Sequence, residues 1–390
     1  MKRSEKRILT THVGSLIRPK ELRDLAAAAQ KSPPEKQRYE DLLRKSVEDV
    51  VKMQAKVGID VVDDGEYGKS SWANYIVDRI TGFELRPGDM RPIEWLGRDL
   101  QRFPEVMAAE FRGFAESGGM PARVCVAPIQ YRDSGSIQRD IRNLQSALRS
   151  VNVEEAFLPV VAPASAAFDG INEYYSSEKE YIYALADALR NEYRAIHESG
   201  LVLQVDDAVL ANMYDHLVQK SPEHYRRWAG LRVEALNHAL QGIPEDRVRY
   251  HVCFGSWHVP HLADAPLEEI VGFILQVCAG AYSIEAANPR HEHEWRVWES
   301  RKLPAGKILI PGVITHHTIT VEHPRLVADR IVRFARIVGR ENVIAGADCG
   351  FAQTEMLQRV PPSVMWAKFE ALVAGARLAS DELWRQPVGA

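Results

Sequence analysis

The residues that most clearly could carry chemistry are His251 and Cys253, which are separated by a single valine. They lie at the end of a short apolar run typical of a strand, and side chains two residues apart on a strand point to the same face. An imidazole and a thiol side by side provide half of a zinc site. A core histidine beside a small buried cysteine would produce the same pattern, so this pair alone leaves both interpretations open.

Two further ligand types follow other strand-like runs. Cys349 lies in the sequence Ala-Asp-Cys-Gly, and Glu285 ends an apolar run, where a charged residue is costly unless it faces a site. One histidine, one carboxylate and two cysteines form a ligand set that suits Zn²⁺ best. If the ends of these runs converge, we predict a zinc site formed by His251, Cys253, Glu285 and Cys349.

The elements that must position these residues can be identified from the hydrophobic pattern. Eight short apolar runs are separated by longer charged segments with helical spacing, and several of those segments open with proline or acidic residues, as helices do. The runs are residues 8–13, 59–62, 157–161, 201–205, 248–252, 282–285, 308–313 and 343–347. The helix candidates are residues 34–57, 179–199, 222–241, 266–278 and 325–338, with a last barrel helix at 363–383.

Eight strands alternating with helices predict an α/β fold of parallel βα units, and eight is the number that closes a (β/α)8 TIM barrel. An open doubly wound sheet is the alternative, but no glycine-rich dinucleotide loop follows the first strand. In a TIM barrel the carboxyl ends of the strands meet at one rim, here called the mouth. The candidate zinc ligands would therefore converge there.

One stretch, residues 84–149, is too long for a single connection and contains a further strand-like run at 122–131. We predict an insertion after the second βα unit, at about residues 84–150, that packs over one barrel end as a hairpin plus helices. The whole chain, 1–390, is then predicted to be a single TIM-barrel domain.

Polar residues also collect after other predicted strands. Ser15 follows the first strand, Glu66 the second, Asp206 ends the fourth, and His316 and His317 follow the seventh. Each of them alone could be a helix cap or part of a solvated turn. Their shared position at the mouth favours a substrate site. By contrast, the segment from His291 to Trp295 lacks the His-Glu-x-x-His spacing and is predicted to be a polar loop or helix start that binds no metal.

Composition limits the partners and the compartment. Hydrophobic residues make up 46% and charged residues 26% of 390, which excludes a disordered or collagen-like chain. A formal charge of −4 disfavours nucleic acid as a partner.

Four scattered cysteines indicate a reducing compartment, and Cys125 and Cys278 are predicted to be inert thiols, one on the insertion strand and one on a helix. No apolar run is long enough for a secretory signal or a bilayer span, so we expect a cytoplasmic protein without a membrane partner. The sequence leaves a homo-oligomer open.

Seven sequence elements occur in the order found in cobalamin-independent methionine synthase, and the chain resembles single-barrel relatives of that enzyme's C-terminal catalytic barrel. The elements are TTHVGS, DDGE, QVDD, HVC, SIEAANPRHEHEW, IPGVI followed by HH, and ADCG. The resemblance extends from Ile8 to Phe351, and the pairing of His-x-Cys with the late Asp-Cys-Gly is its specific part. Epoxyalkane:coenzyme M transferase shares the same zinc motif and barrel, and the chain resembles it too.

The resemblance implies roles for individual residues. The four ligands predicted above match the zinc ligands of the family. Val13, Gly14 and Ser15 match the element that holds the carboxylate of homocysteine, and Glu66 and Asp206 match the acidic residues that contact its amino group. His317 matches the proton donor of the family.

The implied chemistry is alkyl transfer to a thiol. A free thiol, with a pKa of about 8.5, is mostly protonated at neutral pH, whereas coordination to zinc deprotonates it and keeps it nucleophilic. The expected partners are a small-molecule thiol and an alkyl donor, and the favoured reaction methylates homocysteine to methionine. The segment Asp206-Asp207-Ala208 stands where the family has Asp-Glu-Pro, which leaves the donor open.

Three alternatives remain at this stage. The first keeps the zinc and the thiol but opens an epoxide with coenzyme M, although two carboxylates suit an ammonium group better than a sulfonate. The second is a zinc hydrolase, which two thiolate ligands disfavour because they make the zinc electron-rich. The third is a structural zinc, which usually has closely spaced Cys-x-x-Cys pairs rather than ligands on three strands.

Overall fold

The chain forms an α/β barrel with a smaller sheet beside it. The computed structural model describes all residues except 30–31, 87–96, 111, 113–121, 133–134, 167–169, 355–357 and 386–390. The strands are β1 (Leu9–Thr10), β2 (Val61–Val62), β3 (Phe83–Arg86), β4 (Ala122–Cys125), β5 (Glu155–Val161), β6 (Gly170–Asn172), β7 (Val202–Asp207), β8 (Val248–Val252), β9 (Ala281–Ile284), β10 (Ile308–Ile314) and β11 (Ile344–Ala347).

Eight of these strands pair in the order β1-β11-β10-β9-β8-β7-β5-β2, and every pairing is parallel. The seam between β1 and β2 is bridged by Asp60, whose backbone N–H donates to Thr10 O (3.1 Å) and whose Oδ2 accepts from Thr10 N (2.8 Å). The sheet is thus a nearly closed barrel, and the TIM-barrel prediction is confirmed. All eight predicted strands are present, although β1 and β2 keep only two residues each.

Helices connect the barrel strands and cover the outside of the barrel. They are α1 (Lys20–Ala29), α2 (Pro33–Val57), α3 (Gly97–Arg102), α4 (Pro104–Glu110), α5 (Gly135–Leu148), α6 (Pro163–Ala166), α7 (Glu178–Glu198), α8 (Val209–Asn212), α9 (Tyr214–Val218), α10 (Pro222–Leu240), α11 (Leu267–Ile274), α12 (Val297–Ser300), α13 (Pro324–Val338) and α14 (Pro362–Trp384). Single 3₁₀ turns occur at Asn74–Asp78, Glu245–Arg247, Glu292–Arg296 and Arg340–Asn342.

The long helices begin where the sequence supplies caps. The hydroxyls of Ser32, Ser177 and Ser221 accept the first free backbone N–H groups of α2, α7 and α10. One predicted helix is shorter than expected: α11 ends at Ile274 rather than at Cys278. The backbone N–H of Cys278 donates to Asn237 Oδ1 (2.8 Å), so it is not available to continue the helix. Cys278 therefore lies in the bend that follows α11 and is half-buried.

Part of the predicted insertion forms the small sheet. Strand β3 pairs antiparallel with β4, and β4 pairs parallel with β6, which comes from the connection after β5. Helix α5, at the end of the predicted range, packs on α2 and α7 as a barrel helix does. Residues 87–96 and 113–121 of the range lie outside the described residues, and the single-domain organisation stays a prediction.

The space between the strands and the helices is filled by one continuous apolar cluster. Buried polar residues are found mainly where the barrel strands end, which is the rim that carries the candidate site. None of the described helices has the length and apolarity that crossing a membrane requires.

Candidate active site

Three of the predicted zinc ligands form a compact cluster at the mouth. His251 is on β8, Cys253 follows that strand, and Cys349 follows β11. One ligand atom from each lies within 4.8 Å of the others, and all three residues are buried. His251 Nδ1 lies 3.2 Å from Ser283 Oγ, whereas its Nε2 is buried with no hydrogen-bond partner among the described residues. A buried polar atom without a partner is costly, which favours a ligand at this nitrogen.

The two thiols of this cluster face each other. Cys349 Sγ lies 3.3 Å from Cys253 Sγ, and both cysteines are free. The contact with Cys349, together with burial, raises the pKa of the Cys253 thiol well above its ordinary value. A divalent cation between the sulfurs would reverse this effect, because it stabilises the thiolate form. The pair therefore has the chemistry of a metal ligand set rather than that of two independent core thiols.

Glu285, the fourth predicted ligand, lies in a neighbouring cluster with His316 and Asp348, whose ligand atoms are within 4.8 Å of one another. Its Oε1 accepts from the backbone N–H of Phe254 (2.9 Å), the residue after Cys253. Burial and then the nearby Cys253 raise the pKa of the Glu285 carboxyl well above its ordinary value. The structure thus brings three predicted ligands together and leaves the fourth beside them.

The turn after β1 lies close to both acidic residues and cysteines. Gly14 has φ +136°, and a Cβ there would lie 3.0 Å from Glu66 Oε1, so the backbone can approach this carboxylate only because the residue is glycine. The carbonyl of Ser15 accepts from Phe351 N (2.8 Å), and a side chain at Gly350 would collide with Ser15 Oγ. Because Gly350 follows Cys349, Ser15 borders the thiol cluster.

Glu66 and Asp206 are buried carboxylates that interact with each other. Burial and then the charge of Glu66 raise the pKa of Asp206 to about 7. Glu66 Oε2 has no hydrogen-bond partner among the described residues, and its closest cation, Lys69 Nζ, lies 3.6 Å away. Two buried carboxylates with incomplete pairing favour a positively charged group between them.

His317 lies in the loop after β10, next to other histidines. Its ring is 4.7 Å from that of His316 and 6.4 Å from that of His261. Burial and then the nearby His261 lower the pKa of His317 to about 4, so the ring is neutral at pH 7. It would take up a proton only when a negative charge develops beside it.

The segment that begins at His291 holds two loops of the rim together. His291 Nδ1 lies 2.7 Å from Glu294 Oε2, and its Nε2 lies 3.0 Å from Asp264 Oδ2. Burial alone would lower the pKa of His291, but the hydrogen bonds to Asp264 and Glu294 raise it to about 10. The predicted helix start is present, as the 3₁₀ turn Glu292–Arg296.

Comparison with known families identifies the chain. The sequence profile of the family described as "Cobalamin-independent synthase, Catalytic domain" matches residues 8–109 and 121–368. The chain belongs to the cobalamin-independent methionine synthase family. The resemblance stated from the sequence motifs is therefore confirmed, and membership of this family supports a methyltransferase.

Relatives of this family match almost the whole chain. The methionine synthase of Thermococcus kodakarensis is 23% identical over 380 residues, which cover 97% of this chain and 95% of that protein. The methionine synthase of Saccharolobus solfataricus is 24% identical over 381 residues, covering 97% and 96%. A solved B12-independent methionine synthase from Shewanella sp. W3-18-1, in complex with selenomethionine, superposes with a TM-score of 0.69 at 17% identity, covering 97% of this chain and 99% of that one. This likeness shows the shared fold.

Sequence reasoning missed several polar residues that lie beside the candidate site. Lys69 lies three residues after Glu66 and donates from Nζ to Pro159 O, and Asn288 donates from Nδ2 to Glu285 Oε2 (2.8 Å). Asp348 Oδ1 accepts from the backbone N–H groups of two residues that follow β9. Their positions in the sequence could have indicated them. Lys69 and Asn288 each lie three residues after a predicted site residue, Glu66 and Glu285, and Asp348 directly precedes Cys349.

Proposed function

We propose that this protein is a zinc-dependent thiol S-methyltransferase that methylates homocysteine to methionine. The observation that carries the proposal is the cluster of His251, Cys253 and Cys349 at the mouth, next to the buried carboxylates Glu66 and Asp206. The first set suits a zinc ion and the second suits an ammonium group. The printed names of the relatives, methionine synthases, agree with this chemistry.

The proposed zinc ligands are His251 through Nε2, the two sulfur atoms of Cys253 and Cys349, and Glu285. The unpartnered Nε2 and the close approach of the two free thiols, 3.3 Å between their sulfur atoms, support a cation here. Glu285 is held beside the cluster by Phe254 and is a carboxylate that an incoming thiol could displace, as the open position of a catalytic zinc requires. When bound, zinc would lower the pKa of the substrate thiol and keep the thiolate nucleophilic.

The proposed acceptor is a small thiol with an α-amino acid head. Its ammonium group would pair with Glu66 and Asp206. Its carboxylate would lie against the Val13-Gly14-Ser15 turn. The N–H of Gly14 already donates to His12 Nδ1 (3.2 Å), so the carboxylate would rely on the other N–H groups of the turn and on the Ser15 hydroxyl. A zwitterion leaves neither charge buried without a partner, which is the physical reason for this choice.

His317 is the proposed proton donor to the leaving group. Its ring is neutral before reaction, so it would have to take up a proton from solvent before it could donate one. The negative charge that develops on the departing atom would raise the pKa of His317 and favour this uptake, and the proton would then pass to that atom. We also propose a cytoplasmic location, because all four cysteines are free thiols.

Binding of homocysteine and coenzyme M to the zinc-loaded protein, measured by calorimetry, tests the acceptor. We expect homocysteine to bind at least tenfold more tightly, and Glu66→Gln to remove roughly that advantage. Glu234→Gln, on the exposed face of α10, is the matched control and should leave both affinities unchanged. Tighter binding of coenzyme M, or no loss of homocysteine affinity in Glu66→Gln, would favour epoxide opening instead.

A further inference from the structure

The segment after β1 and the loop that carries Glu66 are joined along their length. Leu16 N donates to Gly65 O (3.0 Å), and the Tyr67 hydroxyl donates to Ile17 O (3.0 Å). The two segments follow β1 and β2, which meet at the seam of the barrel, and both are buried. The position of Glu66 relative to the turn after β1 therefore depends on the contacts between these segments.

Glu66 has a backbone conformation that is rare for its residue type. Its φ is +59°, in the left-handed region, and among the described residues only His261 shares a positive φ without being a glycine. A side chain crowds the backbone in this region, so other contacts must hold the residue there. The N–H of Glu66 donates to Asp64 Oδ1 (2.9 Å). Its carbonyl accepts from Lys69 N (3.1 Å) and from Arg18 Nη2 (2.7 Å).

Arg18 is a buried cation, 3% exposed, that forms no ion pair within the described part of the chain. Its Nη2 donates to Glu66 O and to Lys69 O (2.9 Å), and its Nη1 donates to Ala352 O (3.4 Å), in the segment that follows Cys349. Burying a guanidinium against carbonyl groups alone is costly. The guanidinium offers several donors in one rigid plane, which a lysine ammonium cannot reproduce. Arg18 thus fixes the positions of carbonyl groups rather than neutralising a carboxylate.

Two of the residues whose carbonyls Arg18 binds have charged side chains in the proposed substrate site. Glu66 Oε2 has no hydrogen-bond partner among the described residues, and Lys69 Nζ lies 3.6 Å from it and donates to Pro159 O. The lysine partly neutralises this carboxylate and competes with a substrate ammonium for it. The distance between the two side chains decides how much negative charge remains for the substrate. Arg18 sets that distance through the backbone of both residues.

We propose that Arg18 is a positioning residue that sets the acceptor specificity of this site. It holds Glu66 in the left-handed conformation and Lys69 beside it, so that the Glu66 carboxylate meets the ammonium group of the acceptor. The inference rests on the proposed function, because it requires an amino-acid thiol as acceptor. It deepens that function by assigning recognition of the amino group to a residue that acts through the backbone of two others.

Arg18→Lys tests this role, because it keeps the positive charge and most of the apolar stem but loses the planar fork. Calorimetry on the full-length, zinc-loaded protein compares homocysteine with 4-mercaptobutyrate, which has the same thiol and carboxylate but no amino group. We expect the wild type to bind homocysteine at least about tenfold more tightly. In Arg18→Lys homocysteine affinity should fall roughly tenfold, while 4-mercaptobutyrate affinity changes less than about threefold.

A double-mutant cycle with Glu66→Gln separates positioning from a general loss of structure. Glu66→Gln already lacks the carboxylate, so adding Arg18→Lys should not reduce the preference for homocysteine further. Arg18→Met keeps the apolar stem without the charge. It should show the same loss of preference, and it replaces Arg18→Lys if that variant does not fold. Arg38→Lys, on the exposed face of α2, is the matched control and should leave both affinities unchanged.

Equal weakening of both thiols in Arg18→Lys, or a preference for homocysteine that survives in both Arg18 variants, overturns the proposal. An additive effect in the Glu66→Gln background also overturns it. A wild-type protein that does not prefer homocysteine refutes the proposed acceptor itself, and this inference with it. Zinc content and circular dichroism, measured on each variant, show separately whether the metal site and the fold are retained.

Discussion

The sulfur atoms of Cys253 and Cys349 lie 3.3 Å apart although 96 positions separate the two residues in the chain. Two intervening strands, β9 and β10, stand between β8 and β11 in the sheet. Only the curvature of the barrel can bring the loops after β8 and β11 so close, because the ends of all eight strands face one axis. The contact is therefore a direct consequence of barrel closure.

The thiol pair predicts the metal content. The wild-type protein, purified without chelators, should contain about one zinc per chain, and Cys349→Ala should contain almost none while remaining folded, since a barrel core of this size does not depend on one metal. Cys278→Ala is the control, because this half-buried thiol lies outside the cluster. Elemental analysis and circular dichroism measure the two quantities. A Cys349→Ala protein that retains its zinc would refute the ligand assignment.

Glu285→Gln tests whether the carboxylate beside the cluster is the fourth ligand. The amide oxygen can still accept from Phe254 N, but the negative charge is lost, so we expect zinc affinity to fall roughly tenfold to a hundredfold. Competition with a chromogenic chelator measures this affinity. Glu299→Gln, an exposed position on α12, should leave it unchanged. Equal affinities for wild type and Glu285→Gln would restrict the site to the three clustered ligands.

Gly14→Ala should damage the substrate turn. The new Cβ would lie 3.0 Å from both Glu66 Oε1 and Pro159 Cγ, and φ of +136° is strained for any side chain. We expect homocysteine affinity to fall at least tenfold and the free energy of unfolding to fall by about 1–3 kcal/mol. The control is Gly230→Ala inside α10, where nothing lies within 4 Å and the helix should become more stable by up to about 1 kcal/mol. Unchanged homocysteine binding in Gly14→Ala would argue against the proposed position of the substrate.

His317→Gln separates binding from proton transfer. We expect kcat to fall roughly a hundredfold or more while the Kd for homocysteine changes little, because the residue acts on the leaving group and not on the thiol. His258→Gln, whose ring lies 5.8 Å from that of His317 and is exposed, is the neighbouring control. If both variants lose the same fraction of kcat, the effect belongs to the loop and not to His317.

The pH dependence of stability should follow His291. Its pKa is raised from 6.5 to about 10 in the folded protein, so folding favours the protonated ring. The stabilisation is complete below pH 6.5 and is lost as the pH rises towards 10. His291→Gln should cost about 3 kcal/mol of the free energy of unfolding near pH 6 and much less near pH 10. The exposed His293 provides the control, and His293→Gln should show no such trend. Denaturant unfolding at several pH values measures the difference, and a constant gap between wild type and His291→Gln would contradict the assignment.

Much of the architecture could be predicted from local pattern. The alternation of apolar runs with capped helices is a property of neighbouring residues, so the eight strands and helices such as α2 and α10 were predicted to within a few residues. The types of ligand at the strand ends were equally visible, because His251 and Cys253 are two residues apart on one strand. Barrel topology then makes the strand ends meet, without any knowledge of individual contacts.

Tertiary structure decided what depends on neighbours that are distant in sequence. The position of Glu285 beside the cluster depends on hydrogen bonds from Phe254 and Asn288, and the end of α11 depends on Asn237. The neutral ring of His317 follows from burial and from the nearby His261. Desolvation and Coulomb interactions are set by distances between groups that folding brings together. Sequence therefore determined which chemical groups reach the mouth, and the fold determined their protonation and their partners.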